Sequence, residues 1–166
     1  SRVVAMSESS VHASDFTWND GFLLGYGPID DEHRMFVETV HAMQTASDEE
    51  FASRLEVFAE HAKRHFDLEN ALMVETEFPA RDCHIDEHAA VMSSVEQVRE
   101  IVAQGDVAEG RRLAAELERW FPGHADYLDS ALAQWMCKRQ LGGKPIVIKR
   151  NILEATRSGE DLALRR

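Results

Sequence analysis

Six side chains able to bind a metal sit where the surrounding pattern calls for hydrocarbon. His33, His65, His84, His88 and His124 each fall in a run of apolar residues spaced three and four apart, and Glu69 shares the stripe of His65. That spacing lays residues along the core-facing side of a helix. A lone imidazole on such a face is ordinarily a core residue with satisfied hydrogen bonds. Five of them beside a carboxylate would each need partners in the core, at about 1–3 kcal/mol for every group left unpaired. A metal ion supplies the missing partner. The local spacing agrees. His84-Ile85-Asp86-Glu87-His88 sets two imidazoles one helical turn apart, and His65-Phe66-Asp67-Leu68-Glu69 does the same for an imidazole and a carboxylate. The glutamate that directly follows the first histidine of a zinc-protease helix is absent, its place being taken by Ile85. Three histidines serve as controls: His12 lies in a serine-rich stretch, His41 beside its helix's inward row and so expected to be solvated, and His61 one turn before His65, at most behind the site.

Four helices are needed to bring these groups together. Gly27-Pro28 opens the first, since proline at the start loses no hydrogen bond, and its stripe is Ile29, His33, Phe36, Val40 and Met43. Ser47-Asp48 caps a second, with Phe51, Leu55, Phe58, Ala62, His65, Glu69 and Leu72 inward, until Phe78-Pro79 ends it. A third follows Arg81-Asp82 with His84, His88, Val91, Val95, Val98 and Val102. Gln104-Gly105-Asp106 then opens a fourth, carrying Leu113, Leu117, Trp120, His124, Ala131 and Trp135, which Pro122-Gly123 should kink or split. Short connections make neighbours antiparallel, so the expected fold is all-α, an up-down-up-down four-helix bundle over residues 16–139. Residues 1–15 read as a mobile arm. Residues 140–166 read as an extension of uncertain structure with a β-like patch, Pro145-Ile146-Val147-Ile148.

A chain of 166 residues suffices for one domain with a real core. Acidic residues outnumber basic ones 30 to 18, for a net charge of -12, which disfavours both nucleic acid and an anionic membrane surface. No run is long and apolar enough to span a bilayer, and no leader pattern opens the sequence, so a cytoplasmic location is expected. Cys83 and Cys137 make no disulfide framework and are expected to pack as small apolar residues.

Taken in order, Ile29-Asp30-Asp31-Glu32-His33, His65-Phe66-Asp67-Leu68-Glu69, His84-Ile85-Asp86-Glu87-His88, and Trp120-Phe121-Pro122-Gly123-His124 running on to Asp129 resemble the hemerythrin family, in particular its bacterial members. The likeness covers roughly residues 16–139 and implies two iron ions joined by an oxo or hydroxo bridge. It places His84, His88 and His124 on one iron, His33 and His65 on the other, and Glu69 and Asp129 as bridges. Asp129 enters through the resemblance alone. It follows His124 by five residues, about 140° around an ideal helix, where Tyr127 or Leu128 would be better aligned and Asp126 is the fallback. The likeness departs at Val91, where bulkier side chains are common in the family, and at Ala125, where an isoleucine is frequent; Phe36 could fill the space.

The function implied is reversible dioxygen binding by a protein that is not an enzyme. Two other readings compete with it. One is a sensor of oxygen, nitric oxide or redox state, motivated by the C-terminal extension. The other is a peroxidase or nitric-oxide reductase, if Val91 and Ala125 admit a second reactant.

Overall fold

The computed structural model describes residues 16–141. The N-terminal arm, and the extension beyond residue 141 with its β-like patch, lie outside the described residues. The elements are helical throughout: a short turn Asp20–Phe22, then α1 (Gly27–Thr45), α2 (Asp48–Glu75), α3 (Arg81–Ala103), α4 (Val107–His124), a wide turn Ala125–Asp129, and α5 (Ser130–Leu141). α4, the wide turn and α5 run on as one rod, the fourth of the bundle. α1 packs on α2 and α4, and α3 packs on the same two, which closes the ring of four. None of these helices is long and apolar enough to cross a membrane.

Local chemistry sets the helix ends. Ser47 Oγ accepts from the Glu50 N–H at 3.3 Å and Asp106 Oδ1 from the Glu109 N–H at 3.2 Å, so α2 and α4 each begin on a side-chain cap. Gly105 takes the left-handed conformation (φ +104°) that the reversal between α3 and α4 requires. Before α1, the buried Asp30 accepts from the N–H groups of Leu24 (2.8 Å) and Gly25 (3.1 Å), tying the entering chain to the first turn. Where α4 crosses Phe51, only Gly110 fits: a Cβ there would lie 2.2 Å from Phe51 Cε1 and 2.9 Å from Val102 Cγ2.

The core has two apolar lobes. The larger is built round Phe36, Phe51, Phe58, Phe66, Leu117 and Phe121, and the smaller round Tyr26, Ile29, Met73, Phe78, Leu132 and Met136. Between them on every rod lies a polar residue. Phe16 and Phe22, from the segment before α1, set their rings edge-on against Phe121, which stacks in turn on Phe36 with centroids 4.9 Å apart.

The fourth rod departs from expectation. α4 is not split at Pro122-Gly123 but runs through to His124. The irregularity comes one residue later, as a single π turn in which the Ser130 N–H reaches back five residues to the Ala125 carbonyl. Such a turn absorbs one extra residue. Beyond it every core position is displaced by one: Leu132 and Met136 are buried, whereas Ala131 is exposed and Trp135 only partly covered. Two smaller expectations also fail. Cys83 is exposed on α3 while Cys137 is buried, and His41 is half-buried with its Nδ1 enclosed rather than solvated.

Candidate metal centre

α1 presents His33, α2 His65 and Glu69, α3 His84 and His88, and the fourth rod His124 and Asp129. All seven are buried, none more than 4% exposed. Their donor atoms form two overlapping groups, each within 4.8 Å: Glu69, His84, His88, His124 and Asp129 in one, His33, His65, Glu69 and Asp129 in the other. The carboxylates belong to both groups because each turns one oxygen to each side. Asp129 Oδ1 lies 2.9 Å from His84 Nε2 and 3.1 Å from His124 Nε2, while Oδ2 lies 2.8 Å from His33 Nε2. Glu69 Oε2 lies 3.1 Å from His88 Nε2 and 3.4 Å from His84 Nε2, while Oε1 lies 3.3 Å from His65 Nε2 and 3.7 Å from His33 Nε2.

Asp129 reaches this cage because of the π turn. With one residue absorbed, the fifth position after His124 takes the place of the fourth, about 40° from it instead of about 140°. The fallback, Asp126, is exposed.

The donor set fits a cation pair. Both oxygens of Glu69 and of Asp129, and the Nε2 of His33, are enclosed without an aligned hydrogen bond among the described residues, although nitrogens and oxygens crowd within about 3 Å. His124 Nε2 faces both His84 Nε2 and His88 Nε2 at 3.2 Å. Donors held about 2.1 Å from one octahedral ion stand about 3 Å from each other, the spacing seen here.

Without an ion, the cage balances its carboxylates with protons. Burial disfavours a charged His33, but the contacts with Asp129 and Glu69 outweigh it and raise the imidazole to about 10. His84 is raised to about 9 by the same balance. For His65 burial wins over the attraction of Glu69, and it falls to about 4; His88 is also lowered, burial again leading. Burial pushes Glu69 and Asp129 up, and Glu69 further raises Asp129, yet the surrounding imidazoles hold both carboxyls below their ordinary range.

Behind the cage, His88 Nδ1 meets Asn70 Oδ1 at 2.7 Å, and His124 Nδ1 meets Glu87 Oε1 at 2.8 Å. Those acceptors place the proton on Nδ1 and leave Nε2 facing inward. The flanks are apolar, with the Phe121 ring edge-on to His33 at 5.1 Å and Phe66 stacked on His88 at 4.2 Å. Residues 24–136 match the family described as Hemerythrin HHE cation binding domain.

The chain belongs to the hemerythrin family.

This hemerythrin is 38% identical over 122 residues to a protein named Bacteriohemerythrin from Ralstonia nicotianae, a match covering 74% of this chain and 89% of that one. No solved structure matches it significantly. The structure brings together all seven residues picked out from the sequence. His61 stays outside, its Nδ1 2.7 Å from Arg64 Nη2 on the surface. Sequence reasoning missed Asn70 and Glu87, each of which directly adjoins a cage residue. Their only signal was polarity at the edge of an inward stripe.

Proposed function

We propose that this hemerythrin holds two iron ions in the seven-residue cage and through them binds dioxygen reversibly. The observation that carries this reading is the inequality of the two donor groups, five side chains on one side and four on the other with both carboxylates shared. Ions held this way would meet three imidazoles on one side and two on the other, which would leave room for a small ligand on the His33–His65 side. Held in the cage, a ferrous pair would supply the two electrons that dioxygen takes up on binding and gives back on release.

The protein's part is to hold and to shield. Glu69 and Asp129 offset the cationic charge from inside the core, where an uncompensated ion would be expelled. Asn70 and Glu87 fix the rings of His88 and His124. Phe121 and Phe36 keep the His33–His65 side apolar, so water and protons that would drive oxidised products away have poor access. The functional unit we assign is the bundle of residues 16–139. Its unpaired cysteines suit a reducing compartment, the cytoplasm.

Elemental analysis and rapid mixing test the proposal together. Two irons per chain are expected, with an absorbing form that appears on mixing reduced protein with dioxygen and bleaches under vacuum. One metal per chain, or oxidation that vacuum does not reverse, would overturn it.

A further inference from the structure

We propose that Glu87 is a positioning residue that tunes the electron-richness of the three-imidazole side of the centre by acting through His124. The inference deepens the reading above and rests on it. Glu87 Oε1 accepts two hydrogen bonds, from His124 Nδ1 at 2.8 Å and from Trp120 Nε1 at 2.9 Å. The indole also stacks on the His124 ring, with centroids 4.2 Å apart and planes 29° apart. One carboxylate and one indole therefore fix the imidazole in direction, plane and tautomer. Glu87 precedes His88 directly, yet it turns away from the cage to the back of a third ligand. Its side chain is 37% exposed and so escapes the penalty of full burial, whereas that of His124 is 1% exposed.

The charge makes Glu87 more than a brace. Among the described residues the far nitrogen of His88 meets only a neutral amide, Asn70, and those of His33, His65 and His84 have no hydrogen-bond partner. Anionic backing thus falls on one imidazole of the five. A carboxylate on the distal N–H makes the opposite nitrogen a stronger donor and favours the more highly charged state of the metal it binds. The Trp120 N–H shares the same oxygen and draws off part of that effect. Glu87 and Trp120 therefore act in opposite senses on His124.

Two variants separate tuning from bracing. Glu87→Gln keeps an acceptor of the same shape and removes the charge; Trp120→Phe keeps the stacked ring and removes the N–H. In iron-loaded protein the reduction potential should rise with Glu87→Gln and fall with Trp120→Phe, while a merely structural role would move both the same way or neither. Zinc-loaded protein gives a readout free of iron and dioxygen chemistry. Glu87→Gln should weaken zinc binding about 10–100-fold and shift the His124 ring nitrogens in ¹⁵N spectra. Unchanged zinc affinity in a folded Glu87→Gln protein would overturn the proposal, as would potentials moving in the same direction. Failure to load iron would sink the oxygen-binding reading instead, with the zinc measurement still reporting on Glu87.

Discussion

Deleting Tyr127 should leave this hemerythrin folded and its cage intact, though it removes a residue from the middle of a core helix. The ring is 81% exposed and lies in the five-residue π turn. An ordinary α-helix advances about 100° and about 1.5 Å per residue, so a deletion normally turns everything beyond it by that amount. Here the π turn already contains the surplus residue. Removing it should convert the turn to α geometry, with Asp129 in fourth place after His124 and Leu132 and Met136 still facing the core. Little buried surface is lost, so the stability change should stay within about 0.5 kcal/mol, a melting shift of about 1–3 °C. The control is deletion of Glu116, also exposed but within regular α4. That change turns Gly110, Leu113 and Ala114 by about 100° against Leu117, Phe121 and His124, so it should cost several times more or prevent folding. Thermal unfolding and metal content of the two deletions give the comparison. If the Tyr127 deletion loses metal, or melts as low as the Glu116 deletion, the account of the turn is wrong.

Three further outcomes follow from the same geometry. Gly110→Ala should destabilise by about 1–3 kcal/mol through overpacking against Phe51, despite alanine's better helix propensity, whereas Gly123→Ala, with nothing within 4 Å of the added carbon, should stabilise by about 0.5–1 kcal/mol; denaturant titration reads both. Phe121→Leu should cost about 1–3 kcal/mol and speed oxidation of the loaded, reduced protein, and an unchanged oxidation rate would remove that ring as a water barrier. His33 and His84 carry raised values of about 10 and about 9 without metal, above the ordinary imidazole value, so their contribution to stability is complete below about 6.5 and is lost as pH climbs through those values. His65 is neutral in both folded and unfolded chains above that point and does not offset the loss. The metal-free protein should therefore melt lower at pH 10 than at pH 7, and loading metal at pH 8 should release at least two protons per chain in a pH-stat.

Three of the four rods were legible because their stripes obey a single period. On α1 the residues expected inward, from Ile29 to Met43, are all buried, and the short links after them fix the antiparallel order. Five of the seven cage residues could be found on those stripes without knowing any relative, and His124 on the regular first half of the fourth rod. Asp129 could not, since α-helical phase carries it away from His124, and the same misreading put Ala131 and Trp135 inward in place of Leu132 and Met136. Nothing in Ala125-Asp126-Tyr127-Leu128-Asp129 announces a π turn. Pro122-Gly123 drew attention instead, but its missing N–H and added freedom are tolerated within the helix. Asn70 and Glu87 escaped notice for another reason. They act from behind the ligands, where a polar residue at a stripe's edge looks like any solvated side chain.

The layer of seven polar side chains cuts the hydrophobic core into two lobes, with Ile29, Met73 and Leu132 on one side and Phe36, Phe66 and Phe121 on the other. Apolar packing that would ordinarily weld the halves of a bundle into one cooperative unit is interrupted at that level on all four rods. Metal bound there would act as a clasp, restoring mechanically what the interrupted packing gives up. Losing it should do more than empty a site: the smaller lobe should then open by itself, so that metal occupancy and the wholeness of the bundle's unfolding transition would become the same variable.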